Sequence, residues 1–275
     1  MRRDTSNAES EIPDAPAPKV TGSQTLVRGL DMLDKVIDGP VKLAELSARM
    51  SLTRSTTHRL ANALIDRGFL TYLPRDGYQL GPKLIQLGFL AQSQADIVQI
   101  ARPRMEDLAA RTEDTVHLGR MDGDLALYLD KIPGRRRVEI SSRIGDRQPL
   151  TSTGLGKALL VDASEAEWER LFVADQSHGA PRADRTIWFD RMRGYADQGH
   201  AFDLEENEDL IRCVAAPVRD VSGKIVAAIS VSSAAQYMDD DRMSELSSEV
   251  RETAQKISTD LGWSPDVRGP RRLRR

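Results

Sequence analysis

Four polar residues at helical spacing carry the first chemical signal in this chain. Within the stretch Leu52–Gly68, Ser55, His58, Arg59 and Asn62 share one helix face, with Arg54 at its N-terminal end. Hydroxyl, imidazole, guanidinium and amide groups on one face can donate to phosphate oxygens and to base edges. Opposite them Thr57, Leu60, Ala61 and Leu64 recur at i, i+3, i+4 and i+7, the stripe a helix needs in order to pack. Thr53 suits the N-cap, where its oxygen can accept from a free first-turn N–H. Gly68 suits the stop, where the backbone turns left-handed. Between Arg49 and Arg67 four arginines face one acid, Asp66, a local charge of +3. Any small helical domain has a solvated polar face, so the flanking elements must carry the rest of the case.

Those flanks read as two more helices and a hairpin. Ser23 stands where it can cap a helix with Leu26, Leu30, Leu33 and Ile37 at helical spacing, stopped by Gly39-Pro40. A second helix from Lys42 to Met50 sends Leu43, Leu46 and Met50 inward, and Met50-Ser51-Leu52 turns into the third. Phe69–Leu73 and Tyr78–Leu80 flank Pro74-Arg75-Asp76-Gly77, the pattern of a hairpin. Three helices and a wing in this order have a specific use, the placing of one helix in a major groove. The candidate contacts are Arg54, Ser55, Thr56, His58, Arg59 and Asn62, and the candidate partner is double-stranded DNA.

A second chemical signal lies at Thr153-Gly154-Leu155-Gly156, which leads directly into a helix. Backbone N–H groups at such a start can hold a carboxylate, and an ordinary strand-to-helix turn has the same pattern. A phosphate-binding P-loop is excluded, because residue 151 is Thr and Lys157 is followed by Ala158. The single cysteine, Cys213, falls in an apolar strand, where a small core residue is the plain reading. Ser230 and Ser232 alternate along the next strand, so they share a face and could line a pocket with it. As a nucleophile Cys213 would need a positioned histidine, and nothing in the sequence places His117, His178 or His200 near it. No G-x-S-x-G elbow or H-E-x-x-H spacing occurs. The chain is expected to be no enzyme and to need neither a cofactor nor a metal.

The elements that would hold this second site alternate. Ile97–Thr112 reads as a helix whose early turns Pro103 breaks. Thr115–Arg120 and Leu125–Ile132 read as strands around Met121-Asp122-Gly123-Asp124, and Arg135-Arg136-Arg137 opens a third strand toward Ile140. Leu155–Val161 is helical, Ser164 with Glu167 forms a capping box for a helix ending near Phe172, and Asp184 starts a helix to about Gln198. Two apolar runs, Ile211–Val218 and Ile225–Ser232, flank a turn. A last helix aligns Met243, Leu246, Val250, Ile257 and Leu261. The fold class is α+β, with helices packed on a mixed sheet.

Composition agrees with two parts. The chain has 275 residues and a net charge of −3, with the charge unevenly spread. Residues 21–81 hold 8 basic and 6 acidic side chains, residues 82–267 hold 23 and 32, and the tail from Arg268 adds five arginines. Residues 1–20 are polar and Pro-rich rather than a signal peptide, no apolar run could span a bilayer, and one cysteine excludes an internal disulfide. A cytoplasmic location without a membrane partner is expected. The expected division is a disordered extension 1–20, a winged helix-turn-helix 21–81, a linker or dimerisation helix 82–95, a ligand domain 96–263 and a basic disordered tail 264–275. In the linker Leu84, Leu87 and Ala91 share a face beside Phe89 and Leu90. Such a helix packs on its own domain or pairs with a second copy.

Six stretches in this order resemble the IclR family of bacterial transcription regulators. They are Gln24–Leu33, Leu52–Leu60, Tyr78–Gly81, Thr153–Leu160, Arg212–Val218 and Ala227–Ser232. The resemblance, which runs from about Gln24 to Trp263, implies an N-terminal winged helix-turn-helix, a dimerising linker helix and a C-terminal GAF-like α/β effector domain. It implies a homodimer or tetramer that reads an inverted-repeat operator, represses or activates a catabolic operon and answers to a small carboxylate, a sugar or keto acid. It places Gly154, Leu155, Asp203, Ile211, Cys213, Ser230 and Ser232 around that effector. The family's usual glycine two residues before Arg212 is missing, Leu210 standing there, and this departure bears on the pocket's shape. The rival from another class is a small-molecule sensing module whose helical front end makes protein rather than DNA contacts.

Overall fold

The computed structural model describes residues 23–137, 140–179 and 184–265. The expected extension at 1–20 and most of the expected tail lie outside them. The chain divides into two compact units, residues 1–93 and 94–275. No helix among the described residues is long and apolar enough to cross a membrane.

The first unit contains α1 (Gln24–Asp34), α2 (Leu43–Arg49), α3 (Arg54–Asp66), the antiparallel hairpin β1 (Leu70–Leu73) and β2 (Gly77–Leu80), and α4 (Pro82–Gln94). Its core is small: Met32, Val36, Val41, Leu46, Leu60, Ala61, Leu70 and Tyr78. Thr53 caps α3 as its sequence position predicts, its Oγ1 accepting from the Thr56 N–H at 3.3 Å. Gly68 ends the turn after α3 with φ +75°, a conformation a Cβ would strain. Val41 and Tyr78 exchange two backbone hydrogen bonds of 2.8 and 2.9 Å, which tie the approach to α2 to the wing. The first helix departs from expectation. Ser23 makes no side-chain cap, and Leu26, Leu30 and Ile37 are exposed while Gly29, Met32 and Val36 face the core. Leu33 of the expected stripe does pack on the core, but both faces of α1 carry apolar residues, so spacing alone picked a largely wrong stripe.

The second unit is a six-stranded antiparallel sheet in the order β5-β4-β3-β8-β7-β6. In chain order its elements are α5 (Ile97–Thr112), β3 (Thr115–Asp122), β4 (Leu125–Ile132), β5 (Arg147–Pro149), α6 (Gly154–Leu159), α7 (Glu165–Gly179), α8 (Arg185–Gln198), β6 (Ala201–Leu204), β7 (Ile211–Arg219), β8 (Ile225–Ala234) and α9 (Asp240–Asp260). The central strands β7 and β8 are buried on both faces. Val214, Ala216 and Val218 with Ala227, Ile229 and Val231 pack toward α5 and α9. Cys213 and Ala215 with Ala228 pack on the other face, toward α6, α7 and α8. Burial on both faces is why the two runs look continuously apolar in sequence.

Three boundaries differ from expectation. The strand expected from Arg135 to Ile140 is not formed at 135–137, which are bends, and 138–139 lie outside the described residues. The sheet takes its edge instead from β5, where Arg147, Gln148 and Pro149 pair with β4. Pro103 does not break α5, which runs unbroken over 16 residues. A proline forfeits one backbone hydrogen bond, and the burial of Ala101, Met105 and Leu108 outweighs that loss. Finally α7 continues past Phe172 to Gly179. The capping contact at its start is present, with the Glu167 N–H donating to Ser164 Oγ at 3.3 Å.

Candidate functional site

In the first unit α3 stands free along its polar face. Arg54, Ser55, His58, Arg59 and Asn62 are exposed, while Thr57, Leu60 and Ala61 are buried beneath them. Asn62 Nδ2 lies 3.4 Å from His58 Nδ1. Arg54, His58 and Asn62 form one wall of an open cleft of about 680 Å³, whose other walls include Lys42 before α2 and Tyr72 and Arg75 of the hairpin. Ser55 and Arg59 lie outside this cleft on the same exposed arc. Thr56 is turned back, its hydroxyl 2.9 Å from Thr53 Oγ1. Lys42, Tyr72 and Arg75 were not among the sequence candidates. They come from the approach to α2 and from the hairpin, two segments joined by the Val41–Tyr78 bridge and packed with α3 in one core.

In the second unit the strand registers assemble the other site. Asp203 of β6 pairs with Cys213 of β7, and Cys213 pairs with Ser232 of β8. These side chains point to the α6 face and meet the loop before α6. That loop is held at every residue. Thr151 donates from N and Oγ1 to Asp175 Oδ2 at 3.0 and 2.6 Å, and its carbonyl accepts from Trp188 Nε1 at 2.8 Å. Ser152 Oγ donates to Asn207 Oδ1 at 2.9 Å, and Thr153 Oγ1 donates to the Pro149 carbonyl at 2.8 Å while accepting from the Gly156 N–H at 3.0 Å. A Cβ on Gly154 would sit 2.8 Å from Cys213 Sγ, so only glycine lets the loop approach the thiol this closely.

The result is a small cavity of about 40 Å³. Gly154, Leu155, Asp203, Ile211, Cys213 and Ser232 all line it, so six of the seven candidates come together. Ser230 does not reach the cavity. It lies two residues before Ser232 on β8, opposite Ala215 of β7 and His117 of β3. His117, Tyr128, Ser142, Gln148, Asn207 and Glu208 also line the cavity and were missed. They lie on β3, β4, β5 and two loops, and their convergence depends on cross-strand register. His117 is thus brought near Cys213, against the sequence reading. Leu210, where the resemblance implies glycine, has φ +62° and is 70% exposed.

Burial sets the electrostatics. It raises the Asp203 carboxyl to about 6, against the opposing pull of Lys157 and of two N–H donors, Glu206 and Asn207, both directed at Asp203 Oδ1. Burial, with Asp203 nearby, raises the Cys213 thiol to about 12, so it is neutral and no nucleophile. Burial and then Lys131 lower His117 to about 3, so its ring is neutral as well. Beside the cavity Lys157, 1% exposed, pairs with the buried Glu206, whose other oxygen accepts from Arg191 Nη1 at 3.0 Å. Among the described residues no cluster of His, Cys, Asp or Glu could hold a metal ion.

Two family models match this chain, the IclR helix-turn-helix domain over residues 25–74 and the bacterial transcriptional regulator IclR C-terminal domain over residues 89–259. The chain belongs to the IclR family. Among its IclR relatives, the HTH-type transcriptional regulator XynR of Escherichia coli (strain K12) is 33% identical over 246 residues, covering 87% of this chain and 98% of XynR. The DNA-binding transcriptional repressor YiaJ of the same organism is 32% identical over 256 residues, covering 88% and 89%. In fold, this IclR protein matches the crystal structure of the Agobacterium tumefaciens repressor BlcR with a TM-score of 0.77 at 24% identity, covering 88% of this chain and 99% of BlcR. It is a DNA-binding transcription regulator and not an enzyme.

Proposed function

We propose that this protein is a ligand-responsive regulator of a catabolic operon, reading an inverted-repeat operator as a homodimer or tetramer in the cytoplasm. The observation that carries the DNA half is the exposed polar arc of α3 beside a cleft edged by Lys42 and Arg75. Arg54, Ser55, His58, Arg59 and Asn62 reach base edges and phosphates, Thr56 being turned back to Thr53, and the cleft residues take the adjoining backbone. Residues 21–81 are the reading domain and 82–95 the pairing helix. No side chain of α4 is buried, and Ile85 and Phe89 are 77% and 71% exposed. Leu26, Val27 and Leu30 of α1 are exposed too. A second copy covering these faces would set two recognition helices on two half-sites.

The ligand half rests on the cavity before α6. A small organic acid, a sugar or keto acid, meets the loop at Gly154 and Leu155 and the row Asp203, Cys213 and Ser232. It acts by binding one dimer geometry better than another, the only way a ligand shifts such an equilibrium. The test is a gel shift with the DNA upstream of the protein's own gene at fixed salt, against a scrambled competitor, then titrated with candidate acids. Selective retardation that an acid reverses is the expected result. Absence of binding at low salt overturns the regulator reading of α3 and favours protein contacts for the front unit. Cys213→Phe should abolish the response and keep DNA binding. A surviving response removes the cavity from the reading.

A further inference from the structure

We propose that Asp114 is a positioning residue that couples the cavity to the end of α5, and through α5 to DNA binding. The role rests on the ligand reading given above and names the residue that carries its signal. Asp114 follows Glu113, the C-cap of α5, and its side chain is fully buried. Its Oδ1 accepts from Ser233 Oγ at 2.6 Å and from Arg136 Nε at 2.7 Å, and its Oδ2 accepts from Arg242 Nη2. One carboxylate thus joins the end of α5, strand β8, the segment after β4 and the first turn of α9. A carboxylate suits this place, because it only accepts, has room for several donors and offsets guanidinium charge.

Two of the joined segments are walls of the cavity. Ser232 and Ile140 line it, and both also line a smaller cavity of about 10 Å³ beside Asp114, Arg136 and Ser233. Ser233 adjoins Ser232 in the chain, and Arg136 leads toward Ile140. A ligand that displaces Ser232 or Ile140 therefore displaces a neighbour of Asp114. The same cluster sets the end of α5. The Thr112 carbonyl accepts from Arg242 Nη2 at 3.0 Å and from Arg136 Nη2 at 3.3 Å, so both guanidiniums held by Asp114 also satisfy the last turn of the helix. Glu113 has φ +62°, and its carbonyl accepts from the Arg135 N–H at 2.8 Å. A non-glycine residue stays left-handed only where its surroundings hold it there. At its other end α5 begins two residues after α4. Coupling needs an element that both sites bias, and the end of α5 is that element.

Cys213, the only cysteine and a cavity residue, reports on the cavity without any added ligand. Its rate of alkylation by iodoacetamide is measured on the full chain, free and saturated with the DNA upstream of the protein's own gene. Operator and acid favour opposite geometries, so the operator should slow alkylation at least about fivefold, the lower end of ordinary coupling. A scrambled duplex should leave the rate unchanged. Asp114→Asn should bring the free-to-bound ratio close to one, and Ser233→Ala, which cuts only the link to β8, should lower it part-way. Thermal melts check that both variants fold. A merely structural Asp114 would give faster alkylation in both states with the ratio kept, and that result overturns the proposal. A wild-type rate that the operator leaves unchanged overturns it too. Protection of Cys213 by pyruvate or gluconate, measured without DNA, tests the ligand reading separately. If neither acid protects, that reading fails, while the DNA-dependent ratio still decides the role of Asp114.

Discussion

In the first unit the groups assigned to recognition stand in water on one helix, and the eight core residues beneath them only hold that helix in place. In the second unit they lie inside, on all six strands, the start of α6 and two loops, with Asp203, Cys213 and His117 all pushed from their ordinary ionisation by burial. An exposed face meets a polyanion by charge and shape, and each of its residues can be lost with little consequence for folding. An enclosed site binds its ligand with groups that also have to be reconciled with the core. The contrast teaches that mutation should separate binding from stability in the front unit and entangle them in the rear one.

The largest effect should come from breaking the rear unit's buried charges. Glu206→Ala leaves Lys157 without its partner, and unfolding of that unit should become easier by about 3–5 kcal/mol in urea melts. The double substitution Lys157→Met with Glu206→Leu should recover most of that loss. An undiminished midpoint in Glu206→Ala would erase the contrast between units.

Next is a pH effect confined to Asp203. Its folded carboxyl titrates near 6, above the unfolded value, so the folded state holds the proton more tightly. The contribution of Asp203 to stability is therefore greatest below about pH 4 and declines as the pH rises through about 6. Relative to Asp203→Asn, the wild type should lose about 3 kcal/mol across that window, from about two units at 1.4 kcal/mol each. Melts of both proteins from acid to neutral pH measure the difference, and parallel curves would contradict it.

In the front unit, Arg54→Ala and Arg59→Ala should each cost about 1–3 kcal/mol of operator affinity at a base contact, or lower the salt slope by about one at a phosphate. Their melting points should stay at the wild-type value, as for exposed residues generally. Thr53→Ala makes the complementary break. It should cost about 1 kcal/mol of stability by removing the α3 cap, with DNA binding weakened only as far as the helix frays. The smallest effect belongs to Leu210→Gly, which relieves a left-handed leucine at an exposed position and should gain up to about 1 kcal/mol.

Much of α3 was readable because one helix supplies its cap, its packing stripe, its polar face and its stop within 16 residues, Thr53 to Gly68. Local period was enough. It failed at α1, where apolar residues line both faces and only the neighbours decide which is inward. It failed again at Pro103, where burial overrode a local breaker, and at the sheet edge, where β5 rather than 135–140 found a partner.

The rear site divides in the same way. Alternation along a strand determined that Ser230 and Ser232 share a face, whereas the close approach of Gly154 to the Cys213 thiol is seen only in the structure. His117, Tyr128, Ser142, Gln148 and Asn207 left no such mark, because their meeting is a matter of register between strands distant in sequence. The sequence by itself determined most of the helices and strands, the order of the two units and the polar arc of α3, all of which depend on residues within a few turns of one another. Tertiary structure alone decided which side of α1 is core, that Ser230 stays out of the cavity while Ser232 lines it, and that a neutral histidine completes the lining. Each of those is settled by packing between segments far apart along the chain, where no local period reaches.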